Sequence, residues 1–274
     1  MQNRLKGAIF AGAVAAAIVA LLLGVIPIAS QTQADKAPRA ADGRPDLNGV
    51  WQALNTANWD IQDHPARMGP LVALGAAFSV PAGRGVVEGN EIPYLPEAAA
   101  KKKENAEKWL TSDPEIKCYL PGVPRATYMP YPFQIVQTPK HIMMAYEYAG
   151  AARTIFMDKA PASPADTWMG HSVGRFEGDT LVVDVTSFTD QTWLDRAGNF
   201  HSDALHVVER YTPRSSDALT YSATIEDPKI FSRPWTISMP LYRRLEKNAQ
   251  VLEFKCVEFA EELMYGHLRK QTNR

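Results

Sequence analysis

The sequence predicts a mostly β protein, an antiparallel meander that closes as a lipocalin-like barrel. Three observations predict it. From residue 133 onward, short runs rich in β-branched and aromatic residues recur at near-even spacing. Between them lie short connections carrying Gly, Pro, Asn or Asp, the residues of tight turns. Within the runs, apolar and polar residues alternate, which gives each strand two faces. A β-sandwich is the alternative use of the same strands. Closure is preferred because it leaves no unpaired edge strand.

The N-terminal residues bear on compartment. Arg4 and Lys6 precede an uncharged stretch that is apolar over residues 7–29, the charged and apolar regions of an export signal. That run is also long enough to cross a bilayer, which needs about 20 residues. Residues 1–34 are therefore expected to be a signal peptide or a membrane anchor. In either case the rest is expected outside the cytoplasm, periplasmic or extracellular, with the membrane touched only through this segment. Residues 35–44 are polar and small, a linker.

Residues 45–125 are expected to form an irregular and helical wrap. Residues 45–51 look like the entry into a strand, with Trp51 as a core anchor. Over 55–90 Pro and Gly scatter without a sustained period, and irregular runs of this length inside a compact domain are often functional. Residues 96–110 make the best helix: Pro96 suits the first helical position, Glu97 the positive end of the dipole, and Ala, Lys and Glu follow. Its charges are read as a solvated face. Residues 126–274 carry the β-rich part, with strands expected over 133–138, 141–148, 153–158, 168–176, 180–188, 204–211, 218–226, 235–241 and 251–257. Glu177-Gly178-Asp179 is a short hairpin turn whose Gly can take positive φ.

The two cysteines, Cys118 and Cys256, are expected to pair in an oxidising compartment. With 29 basic and 30 acidic residues the net charge is −1, so no long-range field favours nucleic acid. No nucleotide or flavin fingerprint is visible, and no cofactor is expected. The expected partner is a small molecule; the oligomeric state is left open.

Residues 167–211 concentrate the acids and bases. Alternation puts His171 and Arg175 on one face of their strand, and His206 and Arg210 on one face of theirs. Turned inward, these faces would line a pocket with a few polar groups in apolar walls, the usual form of a small-molecule site. His171 or His206 would then be the general acid/base, oriented by Asp184, Asp190 or Asp195. Arg175 or Arg210 would hold an anionic or enolate-like group. Tyr128 is a further proton donor, and Trp168 and Trp193 could stack on the ligand. Turned outward, the same residues would pair with one another in solvent. A metal held by His201, Asp203 and His206 is a weaker alternative, because the spacing matches no strong ligand template. Gly170-His171-Ser172-Val173-Gly174 meets the nucleophile-elbow pattern literally, but it runs on into a hairpin instead of a helix, so Ser172 is read as a small strand residue.

Several segments resemble a largely uncharacterised family of exported bacterial β-rich proteins. They are Asp46-Leu47-Asn48-Gly49-Val50-Trp51, Cys118 with Pro121-Gly122-Val123-Pro124-Arg125, and Gly170-His171-Ser172-Val173-Gly174-Arg175-Phe176-Glu177-Gly178-Asp179-Thr180-Leu181-Val182-Val183-Asp184. Trp193-Leu194-Asp195, His201-Ser202-Asp203-Ala204-Leu205, Glu209-Arg210-Tyr211 and Ile225-Glu226-Asp227-Pro228 extend the likeness over most of the chain. Phe176 stands where such members have Trp. The resemblance implies an exported β-rich unit and supplies no reaction. The residues themselves point to an exported enzyme of lyase, isomerase or hydrolase type, working by general acid/base chemistry on a small apolar or aromatic compound. A noncatalytic periplasmic binding protein for a hydrophobic ligand is the alternative.

Overall fold

A computed structural model of the chain describes residues 37–69, 74, 79–265 and 267. The expected signal or anchor, residues 1–34, lies outside the described residues. Among the described residues, no helix is long and apolar enough to cross a membrane.

Nine strands close into a barrel. They are β1 (Gly49–Ala53), β2 (Phe133–Gln137), β3 (His141–Tyr146), β4 (Ala152–Met157), β5 (His171–Glu177), β6 (Thr180–Thr186), β7 (His206–Pro213), β8 (Ala218–Glu226) and β9 (Trp235–Arg243). Neighbours pair antiparallel except β4 and β5, which run parallel, with Ile155 opposite Ser172. The strictly antiparallel meander is thus corrected at one point. A parallel pair needs a crossover of a dozen or more residues, and the connection 158–170 provides it.

The closing strand is the second difference. Residues 251–257 form no strand. The barrel is closed by β1 from the N-terminal segment, which pairs with β2 on one side and β9 on the other. Trp51 explains why: its ring is fully buried and its indole N–H donates to the Leu47 carbonyl (2.9 Å). Residues 45–125 and 126–274 therefore belong to one compact unit beginning at Lys36.

Inward-facing residues form continuous layers around the barrel. One runs through Trp51, Phe133 and Tyr146, another through Val183, Glu209, Ala223 and Ile237. Large side chains fill the interior, Trp51, Phe133, Tyr211 and Tyr221 among them, all with no exposed surface. A buried ion pair sits among these rings. Arg153 donates to both Glu209 oxygens (2.6 and 3.0 Å), Tyr211 and Tyr221 donate to the same carboxylate (2.9 Å each), and Tyr146 Oη accepts from Arg153 Nε (3.1 Å). Four donors on one carboxylate are what make a buried charge pair tolerable in such a core.

Outside the barrel, α1 (Pro96–Glu107) follows the expected helix, and α2 (Trp109–Ser112) continues after a break at Lys108. The short helices α3 (Arg125–Tyr128) and α4 (Ala260–Tyr265) follow, with 3-10 turns at Glu88–Asn90, Pro114–Lys117 and Tyr148–Gly150. Cys118 and Cys256 form a disulfide, which ties the C-terminal segment to the turn after the Pro114–Lys117 helix.

Candidate active site

The His171/Arg175 and His206/Arg210 faces point outward, correcting the inward orientation on which the expected barrel pocket rested. Arg175 donates to Asp184 (2.6 Å) and to Glu177 (2.7 Å); Arg210 donates to the other Glu177 oxygen (2.9 Å). His206 Nε2 lies 3.2 Å from Asp184 and Nδ1 3.6 Å from Glu226. This is a solvated ladder across β5, β6, β7 and β8, with its members about two-fifths exposed. His171 sits on the same outer face against the Phe156 ring. The physical reason is the opposite face: Leu181, Val183, Val185 and Val207 are fully buried there, whereas Val173 and Val208 on the outer face stay partly exposed, and Glu209 finds Arg153 inside.

The other expected residues disperse. Trp168 packs on Tyr119 (5.1 Å between ring centres). Asp203 pairs with Lys229. His201 is buried, its Nδ1 on the Ser202 carbonyl and its Nε2 on the Thr192 hydroxyl, so it does not meet Asp203 and His206 around a metal. Among the described residues no group of three or more His, Cys, Asp or Glu side chains is placed to hold one. Trp193, with Asp190, Phe200 and His201, lines a cleft of about 410 Å³. Ser172 lies inside the barrel wall on β5, as a strand residue. The glycines of its motif serve packing: a Cβ on Gly174 would lie 2.6 Å from Ile155 Cγ2, and one on Gly170 would lie 2.7 Å from the Phe188 ring.

Asp195 is the expected residue that acquires unusual chemistry. It has no exposed surface. Its Oδ2 accepts from the Ile61 amide (2.9 Å) and Asn199 Nδ2 (2.6 Å), and its Oδ1 from the Asn199 amide (3.1 Å). Burial, and secondarily the nearby Asp60 carboxylate, push its carboxyl up to about 7, against hydrogen bonds that favour the ionised form. Tyr128, expected as a proton donor, instead holds this loop by donating to the Leu194 carbonyl (2.7 Å). Tyr94 donates to Asn199 Oδ1 (2.9 Å), and burial followed by the Asp195 charge raises its phenol well above the usual range.

Two segments distant in sequence bring Asp60 and Asp195 together. The Arg196 amide donates to the Asn58 carbonyl (3.0 Å), and the Ile61 amide reaches Asp195. The loop then presses on α1, where Gly198 leaves so little room that a Cβ would lie 2.5 Å from the Lys102 carbonyl oxygen. Between loop, helix and the 56–68 segment lies a cavity of about 250 Å³, lined by Trp59, Asp60, Arg67, Lys102, Trp109 and Arg196 among others.

The two indoles meet edge to face (5.9 Å, 82°), and the Arg196 guanidinium lies over both, 4.5 Å from Trp59 and 5.0 Å from Trp109. Glu115 fixes that guanidinium with two bonds (2.8 and 2.9 Å) and also accepts from Arg125 (2.7 Å). Burial opposes the ionisation of Glu115, but Arg196 and Arg125 outweigh it and hold its carboxyl below the usual range.

Of this site, the sequence pointed to Asp195 alone. Trp59, Asp60 and Arg67 lie in the irregular run at 55–90, which was only a general hint, whereas Lys102 and Trp109 lie in the expected 96–110 helix, whose charges were expected to be a solvated face. No family model, curated protein or solved structure matches the chain.

Proposed function

We propose that the chain is an enzyme that moves a proton on a small apolar or aromatic compound held in the Trp59–Trp109 cavity, by general acid/base chemistry of lyase, isomerase or hydrolase type. The observation that carries this reading is the pairing of a fully buried Asp195, its carboxyl pushed up to about 7, with Asp60 on the cavity wall. Carboxyls matched to neutral pH by burial and a like charge are how folds obtain acid and base groups at one site. Asp60 is the group that would exchange the proton with the ligand. Asp195 is a positioning residue: protonated, it leaves a single charge beside the cavity, and ionised, it doubles that charge. The Tyr94–Asn199 hydrogen bonds orient it.

The same reading puts the enzyme outside the cytoplasm. The apolar run at residues 7–29 behind Arg4 and Lys6 supports it, as does the Cys118–Cys256 disulfide, since such bonds persist in oxidising compartments.

The test is a panel of aryl ketones, aryl esters and hydroxyaryl compounds incubated with the protein in deuterated buffer. Products and deuterium incorporation are followed by NMR, and binding by calorimetry. The expected result is turnover that Asp60→Asn abolishes while ligand still binds. Binding without turnover of any compound would make the cavity that of a hydrophobic-ligand carrier.

A further inference from the structure

The cavity carries more positive charge than its neighbours neutralise. Arg67 enters from the segment bridged to residue Val80, and Lys102 enters from α1. Neither side chain has a hydrogen bond or an ion pair among the described residues. Most other cations of the fold are matched. On α1 itself, Lys101 and Lys108 both grip Glu104 (3.0 and 2.8 Å), while Lys102, one position from Lys101, faces the cavity without a carboxylate. Arg196, the third cation on the wall, is neutralised by Glu115. Against Arg67 and Lys102 the cavity sets the Asp60 carboxylate, so an excess of one positive charge remains beside two indole edges.

We propose that the cavity takes a single-ring aromatic carboxylate, its ring against Trp59 and Trp109 and its carboxylate held by Arg67 and Lys102. The class follows from three features. The walls are aromatic, which favours a flat ring over a branched aliphatic one. A volume of about 250 Å³ suits one ring with a short substituent. Two unmatched cations on separate walls can converge on one anionic group, and Arg offers a carboxylate two parallel donors. This inference rests on the reading of the cavity as the substrate site and narrows it from any small aromatic compound to an anionic one.

The test uses the full chain and matched probe pairs, benzoate with benzamide and phenylacetate with phenylacetamide, by calorimetry at low and high salt. The expected result is a preference for the carboxylate of about tenfold at low salt, shrinking as salt rises, because partly exposed charges are screened. Arg67→Gln combined with Lys102→Gln should erase that preference without weakening the amide, and near-UV circular dichroism shows whether the variant is folded. Arg67→Lys alone should keep a reduced preference. Asp60→Asn should keep or enlarge the preference, since it removes a like charge. Equal affinities for acid and amide, or a preference that survives the double variant, would overturn the inference. Turnover of neutral aryl compounds that depends on Asp60, without any carboxylate preference, would sink this inference and leave the acid/base reading standing. A carboxylate preference without turnover would do the reverse.

Discussion

Asp195 makes a prediction with a definite sign. In the unfolded chain its carboxyl titrates near the ordinary 3.8, and in the fold burial and Asp60 move it to about 7. Between those values the folded state holds a proton that the unfolded state has lost. Stability therefore falls as pH rises through the window, by about 1.4 kcal/mol per pH unit. The whole span amounts to about 4 kcal/mol, an upper figure because Asp60 is electrostatically coupled to it. Asp195→Asn removes this titration. The variant also turns an amide group toward the Ile61 or Asn199 donors, which costs about 1–3 kcal/mol at every pH. The informative quantity is thus the slope and not the absolute stability. Urea unfolding at pH 5, 6 and 7 should show wild type losing about 2–3 kcal/mol more than Asp195→Asn across that range. Asp60→Asn should move the Asp195 titration toward lower pH, visible in its carboxyl carbon shift. Parallel stability curves for wild type and Asp195→Asn would refute the claim that the fold raises the Asp195 carboxyl to about 7, and with it the basis for the proposed chemistry.

Inside the barrel, Arg153→Met should cost about 3–5 kcal/mol in denaturant melts by stranding Glu209, and adding Glu209→Leu should recover most of it. Gly174→Ala should destabilise by about 1–3 kcal/mol, because its methyl meets Ile155 and Met157 in the packed wall; a thermal melt reads this directly. Reducing the Cys118–Cys256 bridge, which spans 138 residues, should lower stability by about 5 kcal/mol on the chain-entropy account, seen by comparing melts with and without a dithiol. On the outer wall, His206→Ala and Arg175→Ala should leave both the melting temperature and probe binding nearly unchanged, since exposed ion pairs contribute little.

Local patterns made much of the barrel legible. Strand β8 falls on the expected 218–226, and the helix begins at Pro96 where the first-turn residues point. The segment 251–257 misled because Val, Leu and Phe there resemble a strand. Those residues are spent differently: Phe254 wedges against Tyr131 and Tyr148, beside the disulfide. The candidate site was far less legible. Trp59 and Asp60 occupy a turn with no period, and their meaning depends on Asp195, 134 positions from Ile61. A loop residue gains a perturbed titration only when another loop folds over it, and no local window contains both.

The sequence by itself determined that the chain is β-rich, that its strands have two faces, and that two cysteines remain to pair. Alternation, turn residues and composition act over a few neighbours, so they can be read without a fold. Which face looks inward was decided only in the tertiary structure. Both faces of β7 mix charge with valine, Val207 with Glu209 on one and Val208 with Arg210 on the other, and a buried Glu209 becomes acceptable only once Arg153, Tyr146 and Tyr221 from other strands join Tyr211 around it. The same holds for closure by β1, and for Asp60 beside Asp195. Each depends on the free energy of contacts between distant segments, which exists only after the chain has brought them together.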